Sequence, residues 1–112
     1  MATPALARVG AALAVAFLLV SPAFAENCRN PTNLNEHLPP KEMRHEPFMP
    51  YELLDADAMD LKIFVMRSKK FQVLGHYDED TGVISICRGL TGRALRIIRM
   101  HEEAHALFGW RH

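Results

Sequence analysis

The sequence predicts an α+β protein in which a short antiparallel sheet, formed by a β-hairpin, packs on a C-terminal helix. Three observations support this fold class. Residues 91–108 have an amphipathic helical pattern, two alternating segments joined by a turn cluster come directly before them, and two cysteines are available for one disulfide.

The first 25 residues have the layout of a secretory signal peptide. Arg8 is their only charge, an apolar run covers residues 9–20, and Ser-Pro-Ala-Phe-Ala ends at Ala25. This order predicts cleavage near Ala25 and a periplasmic or secreted protein. A retained membrane anchor is the alternative, although the apolar run is short for crossing a bilayer. The polar residues before Cys28 argue against a lipid anchor.

Residues 26–112 then form a single small domain, near the lower limit for a self-sufficient core. Without Arg8 this part has twelve basic and thirteen acidic residues, a net charge of −1 with neutral histidines. A charge so close to zero favours neither nucleic acid nor an anionic membrane surface as a partner after signal cleavage.

The two cysteines of an exported chain are expected to form one disulfide, Cys28 to Cys87. In the loop-entropy model a bridge of this span contributes about 4 kcal/mol to stability. The alternative is that Cys87, which lies on a predicted strand just before the helix, is a metal ligand.

Residues 26–50 are predicted to be an extended arm that wraps around the domain formed by residues 51–112. The arm has five of the seven prolines and several asparagines. It also carries His37 and His45. We predict that these two histidines are solvated, and the alternative is that one of them approaches a metal.

The segment that follows the arm predicts a short strand at 51–54 and then a helix through residue 70. Asp55 or Asp57 is a suitable N-cap. The apolar residues that support a helix are Ala56, Met59, Ile63 and Met66. A strand is the competing prediction over 57–68, because Leu61, Ile63 and Val65 alternate.

The predicted hairpin consists of strands at 71–77 and 82–87, joined by the acidic turn cluster between them. We expect this turn to be solvated, with calcium binding as the alternative. His76 lies at the end of the first strand. We interpret it as a cross-strand surface residue, with a contact to substrate or to the metal site as the alternative.

The helix predicted at 91–108 contains no proline and ends before Gly109, a typical residue for a left-handed C′ position. Its apolar residues surround two histidines on the face that we expect to pack inward. That face consists of Leu90, Ala94, Ile97, Ile98, Ala104 and Phe108. The opposite side consists of Arg96, Arg99 and Glu103.

Within this helix, residues 101–105 match the pattern H-E-x-x-H. His101 and His105 lie one turn apart on one face, so both rings can reach one Zn²⁺ at about 2.0–2.1 Å. Glu102 is turned about 100° around the helix, where its carboxylate can contact a metal-bound water without binding the metal. The pattern therefore predicts one zinc ion per chain, a water nucleophile, and Glu102 as general base.

The segment His-Glu-Glu-Ala-His-Ala-Leu-Phe-Gly-Trp-Arg-His resembles the active-site segment of the zincin metallopeptidases. It is most similar to the metzincin pattern, in which a glycine turns the chain back towards a third histidine. Here Gly109 comes one residue later than in that pattern, which rotates the exit by about 100° and shifts it by about 1.5 Å. The resemblance implies that His112 is the third metal ligand and that the protein is a small, exported zincin-like protein of bacterial type.

The resemblance also implies that an edge strand beside the active helix aligns an extended peptide or protein substrate. The strand at 82–87 is the nearest candidate for that edge. His76, Tyr77 and Arg111 are candidate substrate contacts or oxyanion donors.

The function expected from these observations is that of an exported, zinc-dependent metallopeptidase-like hydrolase that cleaves a peptide or amide bond. The alternative is a non-catalytic, zinc-stabilised secreted binding protein. A third hypothesis is a disulfide-stapled interaction domain in which the H-E-x-x-H match is accidental.

Overall fold

A computed structural model gives the structure of the protein, and it describes residues 27–64 and 72–112. The predicted signal peptide at 1–25 lies outside these ranges. So do the end of the first predicted helix and Phe71, the first residue of the predicted hairpin.

The described chain contains three strands and two α-helices. In chain order they are β1 (Glu52–Leu54), α1 (Ala56–Ile63), β2 (Gly75–Tyr77), β3 (Ile84–Cys87) and α2 (Gly92–Phe108). The α+β class, the hairpin and the C-terminal helix are thus as predicted.

The sheet is mixed, whereas the sequence predicted an antiparallel one. Its strand order is β1-β3-β2, with β3 antiparallel to β2 and parallel to β1. The parallel pair arises because the chain leaves β1 through α1 and returns to β3 only after β2, which provides the long crossover that parallel strands need.

The expectation that the strand at 82–87 is a sheet edge is wrong. β3 lies in the centre of the sheet and all four of its residues are buried. β1 and β2 are the two edge strands, one on each side of β3. Of these two, β2 is the one that contacts α2.

Helix α1 is capped by Asp55, whose Oδ1 accepts a hydrogen bond of 2.8 Å from the backbone N–H of Ala58. The helix ends at Phe64, which has a left-handed conformation with φ of 56°. The described part of this segment is therefore helical, and the competing strand prediction is wrong for it.

Helix α2 begins and ends within one residue of its predicted bounds. Gly109 has φ of 66° and its N–H donates to the carbonyl of His105, as expected for a C′ glycine. The inward face is buried as predicted except at Phe108, which is half exposed. Glu103, predicted on the opposite side, is only 1% exposed.

The Cys28–Cys87 disulfide is confirmed and joins the start of the arm to β3. A methyl group at Gly89 would lie 2.4 Å from the Cys28 carbonyl oxygen, so only glycine permits the two chains to approach this closely. Because Cys87 is fully buried in the disulfide, its alternative role as a metal ligand is excluded. The core beside it consists of Ala56, Met59, Val73, Leu74, Ile84, Ile86, Leu90 and Ile98.

The arm contains two short 3-10 turns, Leu34–His37 and Lys41–Met43, separated by the buried Pro39. The first turn contacts α2. Phe48 and Met49, farther along the arm, bind Arg99 and Glu103, so this part of the arm covers the side of α2 that the sequence predicted to face solvent. In the described part of the chain, no helix has the length and apolarity that a membrane crossing requires.

Candidate metal centre

His101, His105 and His112 come together at the C-terminal end of α2. One ring nitrogen from each lies within 4.8 Å of the other two. Nε2 of His101 is 3.1 Å from Nε2 of His112. Two ligands at 2.0–2.1 Å from a tetrahedral zinc would be about 3.3 Å apart. The spacing of His101 and His112 is therefore close to that of two ligands of one zinc ion.

The residue inserted before Gly109 does not carry His112 away from the cluster. The left-handed Gly109 turns the chain back along α2, and Trp110 stacks on His105 at 4.9 Å with 13° between the ring planes. The His112 ring centre then lies 5.0 Å from the centre of each helical histidine ring.

Two backbone carbonyl groups orient the helical histidines. Nδ1 of His101 is 2.7 Å from the carbonyl oxygen of His37, and Nδ1 of His105 faces the carbonyl oxygen of Trp110. Because a carbonyl oxygen only accepts, each Nδ1 carries the hydrogen and each Nε2 presents a lone pair. This is the arrangement that metal-binding histidines use.

Burial favours the neutral form of both helical histidines. It lowers the pKa of His101 to about 4, and it also lowers the pKa of His105. A metal ligand must be a neutral imidazole, so these rings do not have to lose a proton at pH 7 before they bind a cation.

Glu102 lies beside the cluster and is 5% exposed. Burial raises the pKa of this carboxyl group to about 8 in the metal-free protein. Its carboxylate packs against β2 at Gly75, where an added methyl group would lie 2.9 Å from Glu102 Oε2 and 3.0 Å from Ile98 Cγ2. Only glycine at this position leaves room for the observed Glu102 conformation.

A cavity of about 350 Å³ opens in front of these groups. The three predicted substrate contacts, His76, Tyr77 and Arg111, all line it. Their role as substrate contacts stays a prediction. Arg111 also forms an ion pair with Glu79, an exposed residue of the hairpin turn, so the C-terminal segment is linked to the turn at the rim.

Four residues with a role around the site did not follow from the sequence pattern. Gly75 and Trp110 line the cavity, the His37 backbone orients His101, and Glu103 binds the arm. The position of Trp110, directly after the turn glycine, is a signal that sequence reasoning had available. The other three depend on contacts between residues distant in the chain.

The histidines of the arm have different surroundings. His37 is half buried, and its ring centre lies 6.3 Å from that of His101. His45 lies on the far side of α2, where its Nε2 is 3.1 Å from Glu103 Oε1. Both side chains are half-buried, whereas the sequence predicted them to be solvated. Neither belongs to the described cluster that could hold a metal.

The donor set fits zinc. It consists of three imidazoles without a carboxylate or thiolate, and zinc sites with three protein ligands and an open position are typical of catalysis. An all-nitrogen set does not suit Mg²⁺ or Ca²⁺, which prefer oxygen ligands.

Comparison of the chain with models of known protein families, with curated proteins and with solved structures finds no match.

Proposed function

We propose that this chain is an exported, zinc-dependent hydrolase of peptide or amide bonds. The observation that carries the proposal is the placement of Glu102 beside three convergent histidines at the wall of an open cavity. The disulfide supports export, because such bridges persist in oxidising compartments.

His101, His105 and His112 would hold the zinc ion through ring nitrogens. When bound, the ion supplies an acidified water and polarises the carbonyl group of the substrate. Glu102 accepts the proton of the attacking water at its carboxylate, and then delivers it to the nitrogen that leaves as the C–N bond breaks. The adjacent positive charge favours the carboxylate form of Glu102 that this role requires.

The remaining residues of the cavity position the substrate. The outer edge of β2 offers backbone groups to an extended chain, and it takes the role that the sequence suggested for the strand at 82–87. Tyr77, His76 and Arg111 are the side chains available to bind the substrate or its developing oxyanion.

The decisive experiment combines metal analysis with Glu102→Gln. Purified, oxidised protein lacking residues 1–25 should contain about one zinc per chain and cleave members of a broad peptide library. The Glu102→Gln variant should retain the zinc and lose activity by about 10²–10⁴-fold, because only the proton acceptor is removed.

Asp80→Asn is a suitable control, because it changes an exposed carboxylate of the hairpin turn that does not line the cavity. It should keep most of the activity. Zinc binding without turnover on any peptide would favour the zinc-stabilised binding protein instead. A wild-type protein that binds no zinc would contradict both functions.

A further inference from the structure

The arm is attached to α2 by Glu103, a carboxylate that faces away from the three histidines. Glu103 Oε1 and Oε2 each accept from the backbone N–H of Phe48 at 3.1 Å, and Oε2 also accepts from Met49 at 3.2 Å. His45 Nε2 lies 3.1 Å from Oε1. A carboxylate that is 1% exposed needs such partners, since an unpaired buried charge is very costly.

One turn earlier on the helix, Arg99 binds the same part of the arm. Its Nη2 donates to the carbonyl oxygen of Met49 at 3.2 Å, and its guanidinium lies 4.6 Å from the ring centre of Tyr51. The N–H and the C=O of Met49 are thus both bound by α2. This fixes the position of the arm along the helix.

The chain between this attachment and His37 is held by local hydrogen bonds and by a buried proline. Pro39 is fully buried, and its carbonyl oxygen accepts from Arg44 Nε at 3.0 Å. His45 Nδ1 contacts the carbonyl oxygen of Met43 at 2.9 Å, at the end of a 3-10 turn. A short arm with these internal bonds transmits the position of its attached end to the His37 carbonyl.

From these contacts we infer that Glu103 is a positioning residue for the metal centre, acting through the arm. By holding residues 45–49 on α2 it keeps the His37 carbonyl 2.7 Å from Nδ1 of His101 and thereby keeps Nε2 directed into the cluster. The inference rests on the metal-binding part of the proposed function. It does not depend on turnover.

The test compares Glu103→Gln with Glu46→Gln. Both replace a carboxylate that joins the arm to α2, but Glu46 is exposed and forms an ion pair with Arg96, which is also exposed, so it is the matched control. Glu103→Gln replaces one accepting oxygen by an amide N–H₂ group, which cannot accept a hydrogen bond from the backbone N–H of Phe48 or Met49. It should lower zinc affinity about tenfold in a chelator competition, as loss of an outer partner of a metal ligand does. Glu46→Gln should change it by less than about twofold.

A second readout uses metal-free protein labelled with ¹⁵N in its histidines. In the wild type, long-range ¹H–¹⁵N spectra should show His101 in the Nδ1–H form. In Glu103→Gln a substantial share of His101 should change to the Nε2–H form. A core variant, Ile84→Val, lowers stability without removing any of the hydrogen bonds between the arm and α2, and it should leave both zinc affinity and the His101 form unchanged.

If Glu103→Gln does not fold, His45→Ala supplies the test, because it removes one partner of Glu103 and leaves the carboxylate in place. It should weaken zinc binding in the same direction by a smaller factor. The inference is overturned if Glu103→Gln, or His45→Ala where Glu103→Gln does not fold, has wild-type zinc affinity and the wild-type His101 form. A wild-type protein that binds zinc but hydrolyses nothing would sink the proposed enzyme activity and leave this inference standing.

Discussion

At the scale of single residues, the site depends on how closely β2 approaches α2. Gly75 is the contact point, and its missing side chain leaves the space that Glu102 occupies. A glycine in a strand often marks such a close approach.

Gly75→Ala should therefore displace the Glu102 carboxylate and lower kcat about 10–100-fold, because small displacements of a catalytic group have effects of that size. Zinc content should stay near one per chain, since the histidines are untouched. Kinetics with zinc analysis measure both quantities.

Gly82→Asn is the control for this substitution. Gly82 lies in the turn of the same hairpin at φ of 74°, a side chain there meets nothing within 4 Å, and asparagine tolerates this conformation. Wild-type kcat in Gly75→Ala would show that Glu102 does not depend on this contact.

The burial of Glu102 also predicts a pH dependence for the metal-free protein. Burial raises its pKa to about 8 in the folded chain from the ordinary value of 4.5. Between these values the unfolded chain has lost this proton and the folded chain has kept it, so the free energy of unfolding falls as pH rises. The slope is at most about 1.4 kcal/mol per pH unit.

Denaturation of wild type and Glu102→Gln at several pH values, in the presence of a chelator, measures this effect. The difference in free energy of unfolding, wild type minus variant, should decline from pH 5 to pH 8. The lowered pKa of His101, about 4, makes stability fall with decreasing pH below about 6.5, but it is common to both proteins and cancels. If this difference in free energy of unfolding did not change with pH, the raised pKa of Glu102 would be contradicted.

At the scale of elements, the C-terminal segment after Gly109 completes the cluster. On α2 it is held by the Trp110–His105 stack, by the hydrogen bond between these two residues, and by the contact of His112 Nε2 with His101 Nε2. The Arg111–Glu79 pair links it to the hairpin turn. A metal ion bound by all three histidines would link His112 to both helical histidines.

Trp110 is the single tryptophan of the chain, so its fluorescence reports on this segment. Titration with Co²⁺ should quench it with a stoichiometry of one. His112→Ala should raise the concentration needed by about 100-fold or more, because loss of a ligand exceeds the effect of losing an outer partner.

His76→Ala is the matched control, since His76 lines the same cavity without belonging to the cluster. It should titrate like the wild type. An unchanged titration in His112→Ala would exclude His112 as the third ligand.

At the scale of the whole molecule, a domain of this size has little core, and the disulfide and the arm compensate for it. A metal that binds only the folded state would stabilise it further. At a free zinc concentration of one hundred times Kd the gain is about 2.7 kcal/mol.

That gain should raise the Tm of chelator-treated, oxidised protein by about 10 °C or more. Mg²⁺ at the same concentration should have no effect, because it prefers oxygen ligands. Calorimetry of wild type and His101→Ala measures the shift, which should be absent in the variant. No shift with zinc in the wild type would contradict the metal site.

The sequence was sufficient for the local features of this molecule. Helix α2 and its end at Gly109 follow from a periodic pattern and a terminating glycine, and the hairpin follows from alternation around a turn. His101, Glu102 and His105 were placed correctly relative to one another because helical geometry alone sets their spacing. The disulfide followed from the presence of only two cysteines.

The sequence pattern did not predict which distant segments of the chain pair with each other. Because β1 pairs with β3, the strand that was expected at the edge lies in the centre of the sheet. Glu103 was expected on the surface, but the arm covers it and binds its carboxylate. A residue pattern records which faces are apolar, but not which distant backbone groups will satisfy a buried carboxylate.

By itself, then, the sequence determined a two-histidine helix with its adjacent glutamate, because these depend only on residues within one or two turns. Tertiary structure alone decided that His112 returns to the cluster, that β2 borders it, and that the arm orients His101. The physical reason is that these contacts join residues 11 to 64 positions apart, whose meeting depends on how the whole chain packs.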